Sequence, residues 1–262
     1  MRGLLALAAT AMLLGSCNLV PQRTLTACAD PNNLPFSNEA GEGFENKLAQ
    51  MIASDLHAKL NYVWWAQRRG YVRNTLNERK CNFWPGIGSN VEMVATTRPY
   101  YRSTYMFVTR RAANLGGLTL DDPRLKKLKI GVHLLGDDYT NPPPVHELSK
   151  RGVVDNVVGF NTFYSETNPP GAIIDAVAAG RVDLAIVWGP LAGYYAKRQR
   201  TAMEIVPIPS GPGDLPFTFD ISMGVKKGND ALYAQVEHVL EKRQSEITKI
   251  LMDYDVPLLA TR

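Results

Sequence analysis

The chain is poor in the residues and spacings that local catalytic or metal motifs need. Its three cysteines and four histidines stand at no zinc-ligand spacing. Gly86-Ile-Gly88 and Gly211-Pro-Gly213 lack the later glycine of a dinucleotide loop, and no phosphate-loop motif is present. No serine sits in a nucleophile elbow. Asp137-Asp138 pairs two carboxylates, but neighbours in a loop point apart more often than they share a proton. Asp30-Pro-Asn-Asn resembles the start of a calcium loop, yet Pro35 stands where that loop requires glycine. The basic pairs Arg68-Arg69, Arg110-Arg111, Lys126-Lys127 and Lys197-Arg198 are scattered within a net charge of only +4, which argues against a nucleic-acid partner. Beyond residue 14 no apolar run is long enough to span a bilayer. The expectation is a protein without catalytic residues, metal or cofactor of its own.

What is present begins at the N-terminus. Arg2, the apolar run 4–14 and Gly15-Ser16-Cys17 form the three zones of an export signal, residues 1–17. Leu14-Gly15-Ser16-Cys17 also resembles a bacterial lipobox. Cys17 is then either the lipidated first residue of the mature protein or part of what leaves with the signal. Both alternatives place the protein in the periplasm, with any membrane attachment made by a lipid anchor. There Cys28 and Cys81 remain as an even pair in an oxidising compartment, and they form a disulfide if their strands are neighbours.

The chain then alternates strand and helix. Strands are expected at 24–29, 60–65 and 81–87, with an amphipathic helix at 45–56 carrying Phe44, Leu48, Met51, Ile52 and Leu56, and helix again at 72–79. Such alternation predicts a mostly parallel sheet, and right-handed crossovers let the first and third strands lie side by side, bringing Cys28 to Cys81. A second unit follows: strands at 128–133, 156–160, 182–188 and 204–208, and helices near 145–151 and from 173 to a stop at Gly180. The halves echo each other, Arg79-Lys80-Cys81-Asn82 to Pro85-Gly86 matching Gly180-Arg181-Val182-Asp183 to Gly189-Pro190, the latter read as a turn. Joins fall at 110–117 and 210–216, giving one lobe of 24–111 plus 213–262 and another of 112–212. A strand at 219–225 and a helical tail complete the first lobe, so the chain crosses between lobes twice and a cleft between them is the default ligand site. Aromatic residues cluster at the expected strand ends, among them Trp65, Trp188, Tyr194 and Tyr195. Tyr100-Tyr101-Arg102 is read as a loop facing the cleft.

Gly43-Phe44-Glu45, Pro99-Tyr100-Tyr101 and Leu128-Lys-Ile-Gly-Val132 resemble the solute-binding proteins of amino-acid ABC transporters, which implies a two-lobed type II Venus-flytrap fold. A narrower resemblance rests on ordered blocks: Cys28 to Asn38, Gly41 to Asn46, Gln67-Arg-Arg-Gly70, Asn74-Thr-Leu76, Pro99 to Tyr105, Val187 to Tyr194 and Asp220 to Val225. They are similar to the J proteins of methanol dehydrogenase clusters, MxaJ and XoxJ. That resemblance implies a monomeric accessory protein for a quinoprotein dehydrogenase, an enzyme using pyrroloquinoline quinone with calcium or a lanthanide, and for its cytochrome c. By analogy the cleft candidates are Asn33, Phe36, Trp65, Tyr100, Tyr101, Arg102, Asp137, Trp188 and Tyr194. Amino-acid receptors of this fold carry an arginine shortly before the Pro-Tyr and an aspartate ending the apolar strand of the second lobe. Here 90–94 holds no arginine, and Trp188 takes the aspartate's place. Closing on a zwitterion would leave its charges unpaired at a cost of several kcal/mol. An apolar occupant, such as a partner's side chain, fits better than a free amino acid. The rivals are a receptor feeding an importer, and an enzyme with ionisable groups converging in the cleft.

Overall fold

In the computed structural model, which describes residues 23–135 and 141–260, the chain opens with β1 (Thr24–Ala29). The export signal, Cys17 and Asp137 lie outside the described residues. A short hairpin, β2 (Asn32–Asn33) with β3 (Ser37–Asn38), leads into α1 (Phe44–Asp55). The apolar stripe of α1 is buried as its spacing demands, and Asn46 Oδ1 secures the first turn by accepting from the backbone N–H groups of Gly43 and Asn38. β4 (Lys59–Trp64), α2 (Tyr71–Asn74), β5 (Phe83–Gly88), the two-residue β6 (Ala95–Thr96) and β7 (Tyr101–Arg110) follow. The helix expected over 72–79 stops after α2. Thr75 turns its hydroxyl onto the Tyr71 carbonyl at 2.6 Å, and Arg79 takes a φ of 58°, incompatible with a continued helix.

The second unit comprises β8 (Ile130–Leu134), α3 (Pro143–Lys150), β9 (Val157–Asn161), α4 (Ala172–Ala178), β10 (Leu184–Trp188), α5 (Gly189–Lys197) and β11 (Met203–Pro207). Gly189-Pro190, expected to be a turn, instead opens α5. Proline is well placed in a first helical turn, where its missing N–H would have no partner. Tyr194 and Tyr195 therefore ride on a helix and not at a strand end. The chain ends with β12 (Thr218–Val225), α6 (Asp230–Lys242) and α7 (Gln244–Asp253).

The strands form one path, β4-β1-β5-β12-β7-β10-β8-β9, with β11 added on β7 and β6 on β12. Its two flanks, β4-β1-β5 and β9-β8-β10, are parallel triplets in matching order, and the joins at the centre are antiparallel. The echo seen in the sequence has a physical basis. The Asn82 side chain accepts from Thr26 N at 2.7 Å, and the Asp183 side chain accepts from Lys129 N at 2.8 Å. The same two residues donate their own backbone N–H to the Thr26 and Lys129 carbonyls. Each thus pins the start of a parallel pair.

β7 is the link between the two flanks. Tyr101–Thr104 pair with β12, while residues 105–110 pair with β10 and β11. Tyr101 and Arg102 are accordingly strand residues, which corrects the loop expected there. Ser103, Thr104, Met106, Phe107, Val108 and Thr109 are all buried, so no period-two alternation marks this strand in the sequence.

α6 and α7 return to α1, where Asp55 binds Arg243 at 2.6 Å and Lys242 at 3.2 Å. Beyond α7 the C-terminal segment passes to the second unit. The Asp255 carbonyl lies so close over Gly193 that a Cβ there would be 1.9 Å from it. Farther along, Pro257 O accepts from Ser103 Oγ at 2.7 Å, and Leu259 N donates to Arg102 O at 2.9 Å.

Cys28 is the next-to-last residue of β1 and Cys81 precedes its parallel neighbour β5, and the two form a disulfide with Cα atoms 5.5 Å apart. It closes a loop of 53 residues, for which the chain-entropy model gives about 4 kcal/mol. The double change Cys28→Ser/Cys81→Ser is expected to lower the unfolding free energy by about that much in urea titration. A loss below about 1 kcal/mol would contradict a structural role for the bond.

Candidate functional site

The first unit offers a polar wall at the ends of β1 and β4. Asp30 is buried and its carboxylate accepts from the backbone of Asn32 at 2.9 Å and Gln67 at 2.6 Å. Burial pushes its pKa up, opposed by these bonds and by the charge of Arg68. Asn33 donates its side-chain amide to Gln67 Oε1 at 3.0 Å, tying the loop after β1 to the loop after β4. The facing wall comes from the loop after β9 and from β8. Phe163, 49% exposed, lies under the Arg68 guanidinium, whose carbon is 4.6 Å from the ring centroid. Tyr164 meets His133 edge to face at 6.3 Å. Burial lowers the His133 pKa to about 4, so its ring is neutral at neutral pH, and the Tyr164 phenol is raised by burial and by the charge of Asp30. The two walls are therefore within electrostatic reach of each other.

The base is aromatic. Trp188 lies 5.3 Å from Tyr105 and 5.9 Å from Phe219, and Tyr105 and Phe219 are 6.5 Å apart, all between ring centroids. Burial and the charge of Glu45 raise the pKa of the Tyr101 phenol, and the Trp188 side chain opposes the rise. These rings come from β7, β10 and β12, where the chain passes between the two flanks.

Of the residues singled out in the sequence, Asn33 stands in the polar wall and Trp188 in the aromatic cluster with Tyr105 and Phe219. Tyr100 packs on Tyr101 at 5.0 Å and donates its hydroxyl to the Pro85 carbonyl. Phe36 and Tyr101 both pack on Phe44, at 5.3 and 6.1 Å. Trp65 is exposed on the edge beside β4, with Lys80 Nζ 5.4 Å from its ring. Arg102 faces Asp220 at 3.7 Å. Tyr194 is stacked on Tyr254 of the C-terminal segment, under Arg198. The sequence reading passed over Asp30, Gln67 and Arg68 as site residues although they stand in blocks it had recognised. Phe163 and Tyr164 carried one signal only, an aromatic pair just after an expected strand. Among the described residues no group of three or more histidine, cysteine or acidic side chains is placed to hold a metal ion.

No protein-family model matches the chain. Protein MoxJ of Methylorubrum extorquens is 30% identical over 248 residues, covering 90% of this chain and 82% of that protein. The chain belongs to the MoxJ family. Two crystal structures of J proteins agree with it. The periplasmic binding protein XoxJ from Methylobacterium extorquens AM1 is 38% identical, with a TM-score of 0.74 over 91% of this chain and 100% of that one. MxaJ from Methlophaga aminisulfidivorans MPT is 26% identical, with a TM-score of 0.75 over 90% and 100%. The fold is that of a two-lobed type II periplasmic binding protein.

In this J protein the arginines near the Pro-Tyr are already engaged. Arg98 binds Glu237 of α6 at 2.6 Å and Arg102 faces Asp220. Beneath the polar wall lies a carboxyl of another kind. Glu45 of α1 is 2% exposed, and its side chain occupies the space over Gly86, where a Cβ would come within 1.9 Å of Oε1. Burial, reinforced by the negative charge of Asp30, raises its pKa to about 8, so it is largely protonated at neutral pH. An unfolded glutamate ionises near 4.3. Between the two values the unfolded chain releases a proton that the folded chain keeps, so this group makes stability fall as pH rises to about 8 and then level off. Glu45→Gln removes that titration and leaves His133 unchanged. The stability of the variant relative to the parent is expected to rise from pH 5 to pH 8 by up to about 1.4 kcal/mol per unit, read by urea unfolding. A difference independent of pH would contradict a protonated Glu45.

Proposed function

We propose that the protein is a periplasmic accessory protein of a quinoprotein methanol dehydrogenase, acting by contact in the enzyme's activation or assembly and without catalysis of its own. Membership in the MoxJ family carries this reading. The chemistry of the cleft supports it. Where a receptor for amino acids would offer an aspartate to the ligand amine, Trp188 stands against Tyr105 and Phe219. An aromatic base with a polar rim suits an apolar side chain presented by a partner better than a zwitterion. On this reading Asn33 and Arg68 on one lobe and Phe163, Tyr164 and Trp188 on the other are the first residues to probe. The lobes turn about Thr104-Tyr105 in β7 and about Phe217, where the ladders exchange partners. Cys17, when lipidated, would hold the protein to the membrane.

The test is a pull-down of the mature protein from methanol-grown periplasm, with the captured proteins identified by mass. Recovery of a quinoprotein dehydrogenase, alone or with its cytochrome c, is the expected result. Recovery of a permease without dehydrogenase would move the assignment to delivery of a small solute to an importer.

A further inference from the structure

The first lobe carries a cationic patch at the end of its sheet opposite the polar wall. β4, β1 and β5 run parallel and β12 returns antiparallel on β5, so the starts of the first three and the end of β12 share that end. Arg23 and Lys59 stand there on neighbouring strands, with Lys59 N donating to Arg23 O at 2.7 Å. Lys226 and Lys227 follow β12, and with Arg79 and Asn82 they line a recess of about 280 Å³. Four neighbouring strands span about 15 Å, so these five cations form one patch. Solvated surface lysines are common and singly point to nothing. Here the balance of charge is one-sided. Arg23 donates to Gln235 Oε1 and Lys226 to Asn77 O, both uncharged, and among the described residues no carboxylate pairs with any of the five. The acids nearest them in sequence are Asp55, Glu78 and Asp230. Asp55 is held by Lys242 and Arg243, and Glu78 by Lys80. The segment before Arg23 adds no carboxylate, since residues 1–22 contain neither aspartate nor glutamate.

We propose that this patch docks on an anionic phospholipid surface. Each lysine or arginine held near such a surface adds attraction that fades within a Debye length. The position of the chain's entry argues for lipid over an acidic protein. Cys17 precedes Arg23 by six residues, which allow at most about 22 Å between them. A lipidated Cys17 would therefore tether the protein by the same end that carries the patch. β1 then rises about 20 Å from this end to Asp30 at the polar wall, so docking would turn the cleft away from the bilayer and toward a partner.

The test cosediments the mature chain, free of acyl groups, with vesicles of phosphatidylglycerol and phosphatidylcholine in equal parts, or of phosphatidylcholine alone, at low ionic strength. The anionic vesicles are expected to bind at least about tenfold more strongly, and salt that shortens the Debye length to about 3 Å is expected to abolish the difference. Arg79→Gln/Lys226→Gln/Lys227→Gln is expected to remove most of the preference, and Arg23→Gln/Lys59→Gln, on the other side of the patch, to weaken it too. Lys126→Gln/Lys127→Gln/Lys197→Gln removes the same charge from exposed positions of the other lobe and is expected to keep it. Equal binding to the two vesicles, or equal loss in the two triple variants, would overturn the proposal. Indifference to vesicles, with dehydrogenase capture lost only in the Arg79/Lys226/Lys227 variant, would also overturn it and assign the patch to an acidic partner protein. The vesicle assay contains no dehydrogenase, so this proposal and the accessory role fail separately.

Discussion

The structure depends on one strand satisfying two ladders. β7 gives its first four residues to β12 and the rest to β10 and β11, so the backbone of each flank is hydrogen-bonded through the same continuous segment. A strand in that position must be covered on both faces. Its buried residues include hydroxyls that find partners: Ser103 Oγ reaches Pro257 O, and Thr104 Oγ1 reaches Phe217 O. The aromatic base of the cleft follows from the same constraint. Tyr105 and Trp188 are partners where the β10 ladder ends on β7, and Phe219 pairs with Ser103 in the adjoining β12 ladder. The C-terminal segment adds a third connection at this place, since Asp255, Pro257 and Leu259 rest on α5 and on β7.

Much of this was legible in the sequence where burial is one-sided or where a polar residue has a fixed duty. The stripe of α1 announced a helix because one face is buried and the other wet. Asn82 and Asp183 stood out because a side-chain acceptor is needed at the start of each parallel pair. The pairing of Cys28 with Cys81 followed from strand order. What stayed hidden has equally physical causes. β7 is covered on both faces and has no alternation to read. α5 begins with Gly189-Pro190, a dipeptide that serves a turn and a first helical turn alike. α2 ends early because Thr75 competes for the Tyr71 carbonyl. Phe163 and Tyr164 belong to a loop, where periodicity carries no information.

The site itself divides in the same way. Trp188 was singled out because it ends an apolar strand at a position where amino-acid receptors place a charge, and its ring packs against Tyr105 and Phe219. Tyr194 looked equivalent in sequence but serves the contact with the C-terminal segment. Asp30 and Glu45 show how position sets the state of two nearby acids. Asp30 accepts two backbone N–H groups, whereas the Glu45 carboxyl is packed over Gly86 and holds its proton to about pH 8.

The most direct measurement is dehydrogenase activity per dehydrogenase polypeptide in the periplasm of a strain lacking this protein, grown with methanol. If the protein acts in activation or assembly, the polypeptide is exported but its specific activity falls severalfold, and returns when the gene for this chain is restored. Unchanged specific activity in the deletion strain would contradict the accessory role.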